Sequence, residues 1–301
     1  MNLKDLKYLV ALAEHKHFGK AADACFVSQP TLSAQIKKLE TFLGAPLVER
    51  APRNVSLTPL GERVVSRARH IVADVDQLVE MARGDDNPLS GELSLGVIPT
   101  VGPYLLPKVI ADIGDKLPDL ALRLVEEQTS VLLSKLQAGG VDCAVLALPV
   151  EASNLRVIEL YSEDFVFATA SRNATATGSP LARVPVDSLI LLNEGHCFRD
   201  QALDVCDAGG VAENSMYRAT SLETLRSMVA MGRGDTLLPV LAASDNDGLQ
   251  LVPFRAPAPN RAIGLVYRAS SVRVEAVNAL AETICVALAG KFAGVEITKP
   301  A

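Results

Sequence analysis

The chain has no tryptophan, and aromatic residues make up only 4% of its 301 residues. Hydrophobic residues still reach 49%, so its cores are aliphatic, and this length allows two or three domains. No run of about 18 apolar residues is present, which argues against a membrane-spanning helix. The N-terminus also lacks a basic stretch followed by an apolar one, the mark of a secretory signal. We therefore expect a globular protein of the cytoplasm.

Motifs for metal or nucleotide chemistry are missing as well. The four histidines and five cysteines are scattered, without the spacing of a zinc site. No glycine-rich phosphate loop and no nucleophile elbow is found. We therefore expect no cofactor and no metal, and we do not expect an enzyme.

The net charge of −6 hides a difference between the two ends of the chain. Residues 1–66 carry nine basic and six acidic residues, a balance of +3 that leaves −9 for the remainder. A basic end on an acidic body suits a protein that contacts DNA through its N-terminal part. The asymmetry is too small to establish DNA binding by itself.

The first 45 residues predict a helix-turn-helix. Apolar residues at helical spacing from Leu3 to Ala13 predict one helix, and Phe18 to Ala24 predicts a second, shorter one. Ser28 is a suitable N-cap for a third helix, in which Leu32, Ile36 and Leu39 form the buried face. The rest of this third helix is polar, with residue types that bind phosphates and base edges. The DNA-binding candidates in it are Ser28, Gln29, Pro30, Thr31, Ser33, Gln35 and Lys37.

The segment after these helices distinguishes a DNA-binding domain from an ordinary helical hairpin with a solvated face. Leu47 to Thr58 reads as two short strands around a basic turn. This is the pattern of a wing, and it places Arg50 and Arg53 where they can reach a phosphate backbone. We therefore predict a winged helix-turn-helix domain over residues 1–58.

A long helix is predicted to follow, capped by Thr58 and running to a hinge at residues 83–88. Apolar residues along it step by four and three, which is the seam of a coiled coil. The alternative is a helix that packs on its own domain. We expect a linker over residues 59–87 that joins two subunits into a homodimer through Val64, Ala68, Ile71, Val75, Leu78 and Ala82.

Residues 88–301 predict an α/β regulatory domain with two lobes. Strands and helices alternate from Glu92 to Leu148 as βαβαβ, which indicates a parallel sheet, and a second such unit follows. We expect lobe I to span about 88–162 and 268–301, and lobe II about 163–267. A ligand cleft then lies between the lobes at the carboxyl ends of the strands.

Polar residues follow several of these predicted strands. Thr100 and Thr129 come after two strands of the first lobe, and His196 and Cys197 follow a strand of the second. Each threonine could cap the next helix, face the cleft, or do both.

Cys197 and Cys206 are nine positions apart, and the distance between them depends on whether Arg199 to Val205 is helical. His196 and Arg199 flank Cys197 closely and can favour its reactive thiolate form. Nine residues of helix span about 13 Å, whereas a disulfide needs Cα atoms within about 7 Å. Linking the two cysteines would therefore remodel the segment, although two unrelated thiols remain the simpler reading of the spacing. Cys143 and Cys285 read as core residues, and nothing visibly activates Cys25.

Several segments together resemble the LysR-type transcriptional regulators, and within that family its peroxide-sensing members. The resemblance covers essentially the whole chain except 171–187 and the tail after Leu288. It implies a winged helix-turn-helix, a linker helix and a two-lobed regulatory domain of the periplasmic-binding-protein type. The segments that carry it are Tyr8–His15, Ile98–Pro107, Gly195–Cys197 with Arg199–Ala202, Ala219–Arg226 and Ile263–Arg268.

The resemblance also implies roles for individual residues. Cys197 would be the peroxidatic thiol and Cys206 the resolving thiol, so that peroxide drives a reversible disulfide that alters DNA binding and activates antioxidant genes. The implied partners are double-stranded DNA, hydrogen peroxide, further copies of the chain up to a homotetramer, and a thiol reductant such as glutaredoxin or thioredoxin. The implied peroxide pocket consists of Thr100, Thr129, His196, Arg226 and Arg268.

Three other functions compete with this interpretation. A regulator of the same family could bind a metabolite non-covalently in the cleft. The regulatory body could instead be a thiol peroxidase or a disulfide exchanger, although no separate reductase site is visible. A secreted solute-binding protein would need a signal peptide and would not carry the N-terminal domain.

Overall fold

The computed structural model describes residues 1–51, 54–83, 87–150, 152–170, 189–209, 213–243 and 248–298. The chain forms two compact units. The first comprises Met1–Gly84 and Gln137–Gly140, and the second comprises Asp85–Leu136 and Val141–Ala301. The division falls within the hinge expected at residues 83–88, of which 84–86 lie outside the described residues.

The first unit is built around the predicted helix-turn-helix. Ser28 caps the third helix, since its hydroxyl accepts a hydrogen bond from the Thr31 backbone N–H, and Leu32, Ile36 and Leu39 are buried as expected. The third helix therefore turns its apolar stripe to the core and its polar residues outward. The helices are α1 (Leu3–His15), α2 (Phe18–Ala24) and α3 (Gln29–Leu43).

The two predicted wing strands are β1 (Val48–Ala51) and β2 (Asn54–Leu57), and they pair antiparallel. The carboxylate of Glu40 in α3 fixes the start of β1, because its Oε1 accepts hydrogen bonds from the backbone of Leu47 and Val48 at 2.8 and 3.1 Å. The turn between the strands, residues 52 and 53, lies outside the described residues.

Helix α4 (Pro59–Arg83) begins where the sequence places it. The Thr58 hydroxyl accepts a hydrogen bond from Gly61 N at 2.9 Å and donates one to the Pro46 carbonyl at 2.9 Å. Gly61 must lack a side chain, because a Cβ there would lie 2.0 Å from the Leu47 carbonyl oxygen. The first turns of α4 are therefore pressed tightly against the wing.

The predicted coiled-coil seam of α4 divides into two parts. Ala68 is buried inside the first unit together with Val65, so this part of the helix packs on its own domain. Ile71 and Leu78 further along are 44% and 64% exposed. The apolar stripe that is open to a partner thus starts at Ile71 rather than at Val64.

The second unit contains the parallel sheet that the βαβαβ pattern predicts. Strand β3 pairs parallel with both β4 and β5. The elements of this first lobe are β3 (Gly91–Val97), α5 (Gly102–Lys116), β4 (Leu120–Glu126), α6 (Thr129–Gln137) and β5 (Cys143–Ala147).

Two long antiparallel strands, β6 (Leu155–Thr169) and β11 (Asn260–Arg268), connect the two lobes. Strand β6 pairs with β11 up to Asp164 and then with strands of the second lobe. Strand β11 also pairs with β5, so it belongs to the first-lobe sheet. The lobe boundary expected near residues 267 and 268 stays a prediction, and β11 ends at this boundary.

The second lobe places its parallel pair, β7 and β8, beside the end of β6. Its helices follow β7 and β8, as the sequence predicts. The elements are β7 (Leu189–Leu192), α7 (Cys197–Gly209), β8 (Glu213–Ala219), α8 (Leu222–Ala230), β9 (Thr236–Pro239), a short 3-10 helix (Val240–Ala242) and β10 (Gln250–Pro253).

The chain returns to the first lobe with α9 (Val274–Leu288) and β12 (Val295–Ile297), which pairs with β6. One continuous aliphatic core fills the second unit, and a smaller one fills the first. Among the described residues, no helix is both long enough and apolar enough to span a bilayer.

Candidate functional site

The ends of three strands meet at one pocket in the second unit. Thr100 follows β3 and Thr129 follows β4, and these strands are parallel neighbours, so their carboxyl ends share one edge of the sheet. His196 and Cys197 follow β7 of the second lobe. The pocket is lined by Ile98, Pro99, Thr100, Gln128, Thr129, Gly195, His196 and Cys197. The structure thus brings together four residues that the sequence singled out.

His196 is buried beside Cys197. Burial lowers the pKa of its imidazole below the ordinary value of 6.5, and a hydrogen bond to the Thr220 backbone opposes that shift. The side chain is therefore neutral at neutral pH, with one ring nitrogen able to accept a proton. The imidazole that lines the pocket thus carries no charge at neutral pH.

Cys197 is the first residue of α7, and its half-buried thiol is free. The turn before it is fastened by Arg199, whose Nη1 donates to the Leu192 carbonyl at 3.0 Å. Phe198 anchors the start of the helix in the core, where its ring meets Phe165 edge-on at a centroid distance of 5.4 Å. The thiol is thus held at the pocket by the two residues that follow it in sequence.

Cys206 lies in the same helix as Cys197, because α7 extends to Gly209. Nine residues of α-helix separate two Cα atoms by about 13 Å, which is nearly twice the distance that a disulfide allows. The segment between the cysteines is thus helical, and the helix starts at Cys197 itself. The side chain of Cys206 lies outside the described residues.

Thr100 accepts and is oriented by hydrogen bonds from a buried arginine, Arg261, which was not predicted from the sequence. Arg261 donates from Nη1 to the Thr100 hydroxyl at 3.1 Å and from Nη2 to the Thr100 carbonyl at 2.9 Å. Helix α5 begins two residues later and has no side-chain cap, so the Thr100 hydroxyl serves the pocket rather than the helix. Because Arg261 supplies a donor, the hydroxyl proton of Thr100 remains available to another acceptor.

Glu163 neutralises Arg261. Its Oε1 accepts from Arg261 Nε at 2.9 Å and lies 2.8 Å from Nη2, and both side chains are almost completely buried. The guanidinium also lies over the Phe198 ring, 5.3 Å from its centroid. The ion pair therefore connects the threonine of the pocket with the helix that carries Cys197.

Gln128 and Gly195 line the pocket but were not predicted from sequence. Gly195 has φ +91°, and a Cβ on it would lie 2.7 Å from the Gln128 Oε1. The position therefore requires glycine for its backbone and for the close approach of Gln128. The only hints in the sequence are that Gln128 adjoins Thr129 and that Gly195 adjoins His196.

Arg226 and Arg268, which were expected at the pocket, are not among its lining residues. Arg226 Nη1 donates to Glu223 at 3.2 Å, and the Tyr104 hydroxyl donates to the same carboxylate at 2.9 Å. Arg268 Nη1 donates to the backbone carbonyls of Leu136 and Val141. Both guanidinium groups thus make contacts that stabilise the fold.

The remaining cysteines match their predicted structural character. Cys143 is buried in β5, and burial together with the neighbouring Asp142 raises the pKa of its thiol. Burial also raises the pKa of Cys285, whose Sγ donates to the Leu160 carbonyl at 3.4 Å. Cys25 is half-buried, and burial and Glu14 raise its pKa. A raised pKa disfavours the thiolate and therefore reaction with oxidants.

Seven of the candidate DNA-binding residues lie between the N-cap of α3 and its ninth residue, Lys37. Ser28, Gln29, Pro30, Thr31 and Lys37 are exposed, and Ser33 and Gln35 are half-buried. The Oε1 of Gln35 is buried without a hydrogen-bond partner among the described residues. The side chain of Arg50 and the whole of Arg53 lie outside the described residues.

Within the part of the chain that the structure describes, no group of three or more histidine, cysteine, aspartate or glutamate residues is arranged to hold a metal ion.

A winged helix-turn-helix joined by a long helix to a two-lobed α/β body defines a class of bacterial transcription regulators. Family models agree: residues 3–62 match the bacterial regulatory helix-turn-helix proteins of the lysR family, and residues 86–286 match the LysR substrate binding domain. The chain belongs to the LysR family.

Similar proteins share most of its length. The DNA-binding transcriptional dual regulator OxyR of Escherichia coli K12 is 46% identical over 297 residues, which is 97% of each chain. A full-length OxyR variant from Pseudomonas aeruginosa has a TM-score of 0.81 and 36% identity, covering 100% of this chain and 99% of that one. An H2O2-bound OxyR mutant from Corynebacterium glutamicum has a TM-score of 0.62 and 37% identity, covering 95% and 92%.

Proposed function

We propose that this protein is a DNA-binding transcription regulator that senses hydrogen peroxide by reversible disulfide formation between Cys197 and Cys206. The observation that carries the proposal is the pocket itself, which gathers Thr100, Thr129 and His196 around the free thiol of Cys197. The names of the similar proteins support it, and so does the peroxide-bound structure of one of them.

The first chemical step is attack of the Cys197 thiolate on one oxygen of hydrogen peroxide. The S–O bond forms as the O–O bond breaks, so that Cys197 is oxidised to a sulfenic acid and the second oxygen leaves as hydroxide. The hydroxyl groups of Thr100 and Thr129 can donate hydrogen bonds to the peroxide oxygens. Neutral His196 can accept the thiol proton, and protonation of the leaving hydroxide gives water.

The second step joins the two cysteines. The thiolate of Cys206 attacks the sulfur of the sulfenic acid, the S–S bond forms, and hydroxide leaves and is protonated to water. One peroxide and two thiols thus give one disulfide and two waters. Because the Cα atoms are about 13 Å apart along α7, this bond requires the helix to unwind.

Unwinding of α7 provides the conformational output. It withdraws Phe198 from its contacts with Phe165 and Arg261, which changes packing inside the second unit. In a homodimer through α4, or a homotetramer, this change would re-space the DNA-binding domains and activate antioxidant genes. A thiol reductant such as glutaredoxin or thioredoxin would restore the reduced form in the cytoplasm.

The proposal is tested by peptide mapping under non-reducing conditions after a slight excess of hydrogen peroxide. We expect a linked peptide that contains Cys197 and Cys206, its loss after dithiol treatment, and a change in the DNA footprint. The Cys197→Ser variant should show neither response. The matched control is Cys25→Ser, which removes a half-buried thiol of the other unit and should respond like the wild type.

Two results would contradict the proposal. If both thiols stay free under peroxide while the protein still binds DNA, the regulator responds instead to a metabolite in the cleft. If the protein consumes peroxide catalytically with a thiol reductant, the body acts as a thiol peroxidase, whereas a sensor turns over slowly.

A further inference from the structure

A buried carboxylate connects the pocket to both lobes. Glu163 on β6 faces Arg261 directly across the antiparallel pair, and Oε1 binds the Nε and Nη2 side of the guanidinium. The other oxygen, Oε2, accepts from Leu241 N at 3.2 Å in the 3-10 helix of the second lobe. Both carboxylate oxygens are therefore committed, which fixes the orientation of the side chain.

The position of the carboxylate determines which face of the guanidinium meets Thr100. With Nε and Nη2 directed to Glu163, Nη1 is left to donate to the Thr100 hydroxyl at 3.1 Å. That hydrogen bond occupies a lone pair of the hydroxyl and leaves its proton for an acceptor in the pocket. The direction in which Thr100 donates thus depends on a residue that does not line the pocket.

The charge of Glu163 is needed as well as its shape. The Arg261 side chain is 0% exposed and that of Glu163 is 1% exposed, and a buried guanidinium without a counter-charge is strongly unfavourable. A neutral side chain at 163 would let Arg261 shift toward other acceptors. Thr100 would then lose the donor that orients its hydroxyl.

We infer that Glu163 is a positioning residue for the reaction with peroxide, because it holds Arg261 so that Thr100 presents its hydroxyl proton to a peroxide oxygen beside Cys197. As the thiolate attacks and the O–O bond breaks, this proton stabilises the charge that develops on the leaving oxygen. The inference rests on the proposed function. It predicts that Glu163 affects reaction with peroxide much more than reaction with an alkylating agent, which needs no such donor.

The test compares two rates at Cys197 in the full chain, both followed by peptide mass spectrometry: oxidation by hydrogen peroxide and alkylation by iodoacetamide. For Glu163→Gln we expect peroxide oxidation to slow by about tenfold or more, the effect of losing one oriented hydrogen bond. Alkylation should stay within about twofold of the wild type, since it depends on the thiolate alone. The matched control is Glu92→Gln, which breaks an exposed arginine–glutamate pair and should change neither rate.

A second variant keeps the inference testable if Glu163→Gln folds poorly. Replacing both partners, as Glu163→Met with Arg261→Met, leaves no unpaired buried charge and can be well tolerated. In the Arg261→Met background, Glu163→Met should cause no further slowing of peroxide oxidation, because the carboxylate acts through the arginine. Additive effects of the two substitutions would overturn the inference.

The outcomes separate this inference from the proposed function. If Glu163→Gln oxidises at the wild-type rate, or if both rates fall equally, Glu163 has no positioning role and the peroxide sensor stands. If wild-type Cys197 is not oxidised at all, the proposed function fails and the inference fails with it.

Discussion

His196 makes the stability of the second unit sensitive to pH. Burial lowers its pKa in the folded protein below 6.5, so the unfolded chain binds the proton more readily than the folded one. The stability associated with neutral His196 is therefore complete above pH 6.5 and is lost as the pH falls through the lower, folded pKa. Urea unfolding from about pH 5 to 8 should show this loss in the wild type.

The variant His196→Gln should lose that part of the pH dependence, because glutamine does not titrate. The control His15→Gln removes an exposed histidine of α1 and should retain it. Equal slopes of unfolding free energy against pH for His196→Gln and the wild type would contradict this reading.

At the residue scale, the sequence predicted the pocket residues that directly follow strands. It did not predict the residues that bind them from distant parts of the chain. Thr100, Thr129, His196 and Cys197 each follow a predicted strand and do meet at one pocket. Arg261 reaches Thr100 across 161 positions of sequence, which no local pattern reveals. A signal for Glu163 was nevertheless present. It shares the alternate, buried face of β6 with Tyr161 and Phe165, and a charge at such a position needs a partner.

At the scale of elements, the turn between β7 and α7 depends on Gly195. We predict that Gly195→Ala lowers the free energy of unfolding for two reasons: alanine is disfavoured at φ +91°, and its Cβ would push Gln128 away. Gly232→Ala is the matched control, because it has φ +72° with nothing within 4 Å. In both variants the free energy of unfolding should fall by about 1 kcal/mol, because alanine is strained at a positive φ.

Any further loss of unfolding free energy in Gly195→Ala, beyond that in Gly232→Ala, is the cost of displacing Gln128. Thermal and urea unfolding of both variants measure this difference in unfolding free energy. Adding Gln128→Ala should recover the excess in Gly195→Ala but not the backbone part. If the unfolding free energy falls equally in Gly195→Ala and Gly232→Ala, the Gln128 side chain moves aside without an energetic cost.

The sequence predicted helices and caps well where the pattern that defines them lies within one continuous segment. The helix Phe18–Ala24, the Ser28 cap of α3 and the Thr58 cap of α4 all match. Strand β6 pairs first with β11 and then with strands of the second lobe. A hydrophobic pattern alone does not tell which partners a strand takes, so the expected lobe boundary near residues 267 and 268 stays a prediction.

At the scale of the whole molecule, the helix-turn-helix domain is the part that binds DNA, and the acidic body is the part that receives the signal. The net charge of −6 concealed this division, and the +3 balance of the first 66 residues indicated it. The number of subunits is a further property that one chain does not determine. It depends on surfaces that are open in a single copy, and α4 offers one of them.

We predict that the exposed apolar residues of α4 join two copies of the chain. Ile71, Leu78 and Val79 are 44%, 64% and 42% exposed, and burying such residues in a coiled coil stabilises association by about 1.5–3 kcal/mol per fully buried side chain. Leu78→Lys should therefore weaken the dimer, which analytical ultracentrifugation measures as a lower mass at equal concentration. Affinity for DNA with two half-sites should fall as well, because each domain alone contacts only one.

The matched control introduces the same lysine elsewhere on the helix. Ser66→Lys changes an exposed residue of α4 about 120° around the helix from Leu78, and it should leave the mass unchanged. Circular dichroism should be the same for both variants, since neither position is part of the core of the first unit. A wild-type mass for Leu78→Lys would place the subunit contact on another surface, and the re-spacing of DNA-binding domains would then have to be transmitted without α4.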